Sequence, residues 1–556
     1  MITKKKRKLE YIEKGKDSFV DKRGKIENYK LSEKVNLVAT ISSKPNTMRS
    51  NHYHPIQQQK CLLVNGQYIS VYKDLKNKNS LKITQVVNQG DLVITEPLVA
   101  HTMVFLKDSL FLNLVNGERE HKNYGKTHTI PIKLVSEQER DFLFYNYKLN
   151  CRVCEKASLK RLISLGFQPL ANNLIKSKKE QKTFPLELNL CESCKNVQLS
   201  IIPNFKNLFS KYLYKSSVSK SFSKHFEIAA SNYINQLKLR KNTSFIIDIG
   251  SNDGVGLIPF KNRGFKNLLG IEPASNLAKE SRKKGIKTLN DFLTLKSSTK
   301  IPKKADLILA SNVFAHADNL KEMANCMIKL LKNHGVIIIE VQYFPLMLKD
   351  LTFDNIYHEH VNYWSLISLT YFFSNFNCKI FKCELIDTHG GSLRIYISKN
   401  QNIKIQRSVK NQIAFEKKLG LSSDTFYKNF EGKIIDIKNN VTKNLEFLKK
   451  KYKRIVGYGA PAKASTALNY FGIKNDTIKN IIDDNYLKVN KYVPGTNIKI
   501  ISSKSIKKKQ KCIVVFAWNM FEEIKLKNKD LSSLFINVRD LYDKNFIKKF
   551  NLNKFT

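Results

Sequence analysis

The stretch FIIDIGSNDG, residues 245–254, decides the reading of this chain. A short apolar run goes straight into a turn of small residues. A run of that length, bounded by a turn, predicts a strand buried on both faces. Gly250 and Gly254 let the backbone come close to a ligand, and a helix opening there presents free N–H groups. Glu272 ends the next apolar run, KNLLGIEP, 22 residues after Gly250. A carboxylate at that spacing suits ribose hydroxyls. Position 252 is Asn, so G-x-G-x-x-G is absent and no pyrophosphate signature stands here. The pattern suits an adenosyl cofactor with an amino-acid tail.

Outward from that turn, ADLILASN and GVIIIEV add two more buried runs, with helix-like stretches between. Strand, glycine turn, helix, strand is the doubly wound α/β pattern, expected over residues 206–404. A charged, helix-prone connector over 405–450 leads to a second βαβ region over 451–556, containing KRIVGYGA, IKNIIDDN and CIVVFAW. There Gly457, Gly459 and Lys463 suit phosphates at a helix start, although the spacing is not that of a P-loop. Asp483 and Asp484 follow at a distance that a dinucleotide oxidoreductase would also use. Ahead of both regions lie Cys151-x-x-Cys154 and Cys191-x-x-Cys194. Two such knuckles make a closed, structural four-thiolate zinc site over 148–205, with no open position for catalysis. The 36-residue gap between them exceeds the usual spacing of about 15–20 residues, so an excursion is expected there. Residues 1–147 form the first domain, in which short alternating strands with turn signals between about 30 and 130 predict a small β-barrel or sandwich.

The chain has 556 residues, 42% hydrophobic and 26% charged, with a formal net charge of +49. That length allows several domains. The Lys residues are scattered and far outnumber Arg. Nucleic-acid readers cluster Arg with aromatics, so no nucleic-acid partner is expected, while a general positive field still attracts an anionic substrate. No apolar run reaches membrane-spanning length and no leader pattern opens the chain, so no membrane partner and a cytoplasmic location are expected. Nine cysteines, four of them in the two pairs, argue for a reducing compartment and metal, not a disulfide framework.

Several motifs now stand in order: IDIGSNDG, GIEP, SNVFAH (311–316), YHEHVNYWS (357–365), HGGSLR (389–394) and GYGAPAKASTALNYFG (457–472). With the cysteine pairs before them, the set closely resembles the S-adenosylmethionine (SAM)-dependent sugar C-methyltransferases of deoxysugar biosynthesis, over about residues 148–556. The resemblance implies SAM over Asp248, Gly250, Ser251, Asn252 and Glu272, with Asn312 and His316 near. It implies His360 as the base, assisted by Glu359 and Tyr357. Carbon methylation needs such a base beside a ketone, and donors for the resulting enolate oxygen. Tyr212, Tyr214, His389 and Arg394 are implied at the sugar, and Lys463 at the phosphates of a nucleotide-sugar, the expected substrate. Two histidines and a carboxylate could hold iron or zinc, but the spacing of His358 and His360 is not that of HExxH.

His52-Tyr-His54, Gln58-Gln59, Glu96-Pro97 and His101 mark the first domain. Alternate residues of a strand share a face, so both rings of HxH point the same way. MRSNHYHPIQQQK and TEPLVAHTM resemble the sugar-nucleotide cupins, jelly-roll barrels that isomerise or epimerise keto-sugars without metal. Metal cupins carry Glu where this chain has Gln58 or Gln59, which speaks against an ion there. The resemblance makes His52 and His54 the base candidates and sets Arg49 near phosphates. Cupin barrels often pair, so a homodimer would form through this domain. The expected enzyme is therefore a C-methyltransferase, acting at C3 of a 4-keto sugar, fused to an isomerase or epimerase. Three rivals stand beside it: a basic zinc-containing nucleic-acid binder or methyltransferase, an oxidoreductase on the second glycine turn, and an O- or N-methyltransferase of sugars.

Overall fold

The computed structural model describes residues 8–77, 79–117, 128–177, 181–202, 217, 220–317, 319–388, 390–421, 423–506 and 508–550. The chain divides into two units.

The first unit holds residues 1–148 with 164–168 and 183–187. Two five-stranded antiparallel sheets build it. One runs Glu10–Lys14, Asp91–Thr95, Gln59–Asn65, Ser109–Val115, Leu37–Ser43, and the other Ile130–Pro131, Met48–Tyr53, Val99–Phe105, Gln67–Asp74, Ile83–Asn88. Alternate apolar residues of the two inner faces, among them Leu63, Val93 and Phe111 against Tyr68, Met103 and Phe105, form the core between them. The alternation predicts a small β-barrel or sandwich, and the two packed sheets are the jelly roll that the cupin resemblance implies. Three strands before residue 30, Glu10–Lys14, Lys16–Asp21 and Gly24–Asn28, fall outside the stretch read as strands. Their charged residues hide the alternation, and the last two form a separate hairpin.

The second unit carries two α/β sheets. In the seven-stranded sheet the order is Thr288–Leu289, Asn267–Ile271, Phe245–Ile249, Ala305–Ser311, Leu331–Gln342, Ser392–Ser398, Lys379–Ile386. Its first five strands are parallel and the last two antiparallel to their neighbours. Order reverses between Phe245–Ile249 and Ala305–Ser311, so a ligand crevice opens at the carboxyl ends of those two strands. The five-stranded sheet, Lys499–Ile501, Ile478–Ile482, Ile455–Tyr458, Ile513–Val515, Phe535–Asn537, is wholly parallel and reverses beside Ile455–Tyr458.

Helices Arg407–Leu419 and Asp424–Tyr452 link the two sheets. Gly420, left-handed at φ +80°, stops the first of them. That helix is pinned by buried Glu416, which accepts from Leu366 N, Ile367 N and the Tyr343 hydroxyl. A carboxylate at the start of helix Leu366–Ser374 is also favoured by the helix dipole. Among the described residues no helix is long and apolar enough to cross a membrane.

Candidate functional site

The first glycine turn sits at the switch point of the seven-stranded sheet. Gly250 has φ +64°, and a Cβ there would lie 2.3 Å from Val313 Cγ2, so only glycine lets the two loops meet. Glu272 clasps the turn: its carboxylate accepts from Asn252 N and from Ala274 N, both at 2.8 Å. Burial, with Glu272 second, pushes Asp248 up to about 8. Burial also raises Glu272. Ser251 Oγ and Asn312 Nδ2 are buried with no partner among the described residues, which suits polar atoms meant for a ligand. Asn312 takes a left-handed φ of +57° and donates from its backbone N to Glu340 O at 2.7 Å.

The loop 311–317 runs from this turn to the 357–360 motif. At one end Val313 faces Gly250. At the other, His316 donates from Nδ1 to Glu359 O at 2.6 Å, and its ring lies 4.8 Å from that of His360. Burial holds His316 below its ordinary pKa. The Tyr357 hydroxyl and His360 Nε2 share a 2.6 Å hydrogen bond. Glu359, 2% exposed, receives Asn172 Nδ2 on Oε2 at 2.6 Å, while its Oε1 has no partner among the described residues. Burial pushes Glu359 up to about 7. A phenol–imidazole pair beside a carboxyl that titrates near neutrality can take up and return protons.

The second glycine turn repeats the clasp of the first. Asp483 accepts from Ala460 N at 2.8 Å and from Asn485 N at 2.9 Å, as Glu272 does with its own turn. Lys488 Nζ adds bonds to Ala460 O and Asp483. Lys463 Nζ lies 4.4 Å over the Trp518 ring, with the Arg539 guanidinium 5.1 Å from that ring, and Trp518 Nε1 donates to Asp354 Oδ2 at 2.6 Å. Two cations and one buried acid leave this corner net positive.

In the knuckles, the four cysteine sulfurs all lie within 4.8 Å of one another. The two loops match: Glu155 N donates to Cys151 O and Lys195 N to Cys191 O, while Cys151 N donates to Lys156 O and Cys191 N to Asn196 O. Glu155 and Lys195 both turn left-handed, at φ +63° and +59°. Val153 N and Cys194 N point at cysteine sulfurs. Four soft donors on two knuckles, steadied by backbone N–H groups, fit a tetrahedral zinc ion.

In the barrel, His52 and His101 are register partners on neighbouring strands, and His54 completes a cluster with ring centroids 4.8–5.5 Å apart. His101 Nδ1 donates to Val99 O at 3.1 Å, so the lone pair of its buried Nε2 faces the cluster. Burial keeps His101 well below its usual pKa. The ring nitrogens lie close enough to share an ion. Gln58, where metal cupins carry Glu, instead donates to Glu96 at 2.8 Å.

The remaining expected site residues fall differently. Tyr212, Tyr214 and His389 lie outside the described residues. Arg394 is 4% exposed and spends its guanidinium on Glu340 (3.0 and 3.2 Å) and Glu384 (3.2 Å), not on an open pocket. Arg49 donates to Ser43 Oγ and Ser42 O and lines a 570 Å³ cleft to which none of the three barrel imidazoles contributes. Asn172, Trp518 and Asn355, which bring polar groups to the site, carry no local signal that marks them.

Residues 151–209 match a family described as a zinc binding domain. Residues 223–382 match one described as a methyltransferase domain, and 387–534 one described as a C-methyltransferase C-terminal domain. The C-methyltransferase NovU of Streptomyces niveus is 28% identical over 382 residues, covering 67% of this chain and 90% of that protein. A S-adenosylmethionine-dependent methyltransferase from Clostridium acetobutylicum is 13% identical, covering 32% of this chain and 91% of its own, with a TM-score of 0.27. A 3,4-ketoisomerase from Helicobacter canadensis is 18% identical, covering 22% and 89%, with a TM-score of 0.19.

Proposed function

We propose, on the premise that residues 151–209, 223–382 and 387–534 match zinc-binding, methyltransferase and C-methyltransferase C-terminal domains, that this chain is a C-methyltransferase acting at C3 of a 4-keto-deoxysugar carried on a nucleotide. The observation that supports this best is the loop 311–317, which touches the clasped glycine turn at Val313 and the imidazole pair at His316. A cofactor on the turn and a base at His360 then share one crevice.

In this reading Asp248, Gly250, Ser251, Asn252, Glu272, Asn312 and His316 hold SAM. SAM supplies a methyl carbon on a sulfonium, so the transfer itself needs no metal. His360 Nε2 takes the hydrogen made acidic by the neighbouring ketone. The Tyr357 hydroxyl, displaced from Nε2 by the sugar, donates to a sugar oxygen. Glu359, raised by burial to about 7, still holds its proton in part of the molecules at neutral pH and offers it through Oε1 to the developing enolate oxygen. The Lys463 and Arg539 corner draws in the phosphates. Tyr212, Tyr214 and His389 keep their assignment to the sugar side, whereas Arg394, held by Glu340 and Glu384, does not.

Incubation with a panel of keto-sugar nucleotides and methyl-labelled SAM, read by mass spectrometry, tests the proposal. Label on a sugar carbon supports it, and label on oxygen or nitrogen defeats it. Solvent deuterium entering C3 without SAM marks the enolate step.

The three clustered imidazoles favour a second activity in the barrel, proton transfer between adjacent carbons of the same class of sugar. His101→Asn in the full chain should abolish that isomerisation, read as deuterium exchange, and leave methyl transfer within about twofold.

A further inference from the structure

The cysteine knuckles are not a separate module of the second unit. Cys151, Val153, Cys191 and Cys194 belong to the same buried core as Phe314, Trp364 and Leu366, residues that flank His316 and the 357–360 motif. Three attachments run from the knuckle segment to that motif. First, the strand leaving the second knuckle, Val197–Leu199, pairs with Asn362–Tyr363, and Leu199 N donates to Val361 O at 3.1 Å. The backbone directly after His360 is thereby hydrogen-bonded to this strand. Second, Arg152, inside the first knuckle, donates from Nη2 to Ala317 O at 2.9 Å, one residue beyond His316. Its own N donates to Gln198 Oε1 at 2.8 Å, which joins both knuckles to the pairing strand. Third, Asn172, in the excursion between the knuckles, holds Glu359. Val361 N closes the circuit by donating to Ala315 O at 3.0 Å.

We infer that the knuckle segment positions the reactive imidazole, with Arg152, Gln198 and Asn172 as positioning residues that set where the His360 ring stands. The four thiolates hold the two knuckles in register, and the attachments carry that register to 315–317 and 359–363. Among the described residues no hydrogen bond from the knuckle segment reaches the clasp of Glu272 on the Gly250 turn. Knuckle integrity therefore governs the rate of methyl transfer far more than cofactor affinity, because of the residues assigned to SAM only His316 lies on an attached segment. The inference rests on His360 being the base.

The test uses the full chain with Arg152→Ala, Gln198→Ala and Arg152→Lys, checked for one zinc per chain by elemental analysis. SAM affinity by calorimetry should stay within about twofold, and amide exchange over 357–363 should quicken by about tenfold in the Ala variants. A misplaced base costs about tenfold to a hundredfold in kcat with KM for the sugar little changed, and Arg152→Lys should recover most of it. Unchanged exchange over 357–363 in both Ala variants overturns the inference. So does loss of SAM affinity in step with kcat, which would mark a general structural role. If an Ala variant fails to fold, Asn172→Ala reads the same coupling from the third attachment, through a displaced pH–rate profile. The exchange readout needs no substrate. A protein that methylates no keto-sugar therefore sinks the proposed function while exchange still decides this inference.

Discussion

Replacing Glu359 by Gln should stabilise the methyltransferase unit in alkaline solution while impairing catalysis. The carboxyl is 2% exposed, and burial raises it from an ordinary 4.5 to about 7. A raised folded-state pKa means that the folded state prefers the protonated acid. Below pH 4.5 both states hold the proton and the group has no effect on stability. Between pH 4.5 and 7 the unfolded chain ionises and the folded one does not, so stability is lost as pH rises. Above pH 7 the loss levels off at roughly 3 kcal/mol, from 1.36 kcal/mol per pH unit. Gln keeps an oxygen to accept from Asn172 and has no charge to desolvate. The variant should therefore exceed the wild type by no more than about 1 kcal/mol at pH 5 and by roughly 3 kcal/mol at pH 8. Both tryptophans, Trp364 and Trp518, lie buried in the second unit, so intrinsic fluorescence in urea reports that unit selectively. A shift of the midpoint that is equal at pH 5 and pH 8, or a less stable variant at pH 8, would refute the reasoning.

His360→Ala should lower methyl transfer by about a thousandfold or more while SAM affinity stays within about twofold; near-normal turnover with labelled SAM removes His360 from its role. Cys191→Ser should lose the zinc and melt the knuckle region; an unchanged metal content by elemental analysis counts against the four-thiolate site. Gly250→Ala forces a Cβ to within 2.3 Å of Val313 at φ +64°, so calorimetry should show SAM binding weakened by about tenfold or more, and wild-type affinity would show that the turn does not need glycine.

Much of the site is legible along the chain because its parts are contiguous. The glycine turns, the cysteine pairs, HxH and the 357–360 motif each bring chemistry together within a few residues. The place of Glu272 beside the turn is also legible, since a βα unit returns the next strand to the side of the first, but its clasp on Asn252 N and Ala274 N is not, because the residue reads as a ribose acceptor. The helix dipole role of Glu416 is not legible either, because it depends on a second helix 50 residues away. Residues 10–28 read as polar because edge strands and hairpins half exposed to water need no clean alternation. Arg394 reads as a substrate residue within HGGSLR, yet antiparallel pairing sets it against Glu340 and Glu384 across neighbouring strands.

The sequence by itself determined which chemistries are present: thiolates in pairs, imidazoles beside a phenol and a carboxyl, and small residues where a backbone must approach a ligand. Tertiary structure alone decided who holds whom. Asn172 meets Glu359 across 187 positions, Trp518 meets Asp354 across 164, and His101 meets His52 on the neighbouring strand. Such contacts depend on how sheets and loops pack, and packing gathers residues whose separation along the chain carries no local signal. The same packing sets how far burial shifts Asp248 and Glu359, because desolvation depends on what surrounds a carboxyl and not on its neighbours in sequence.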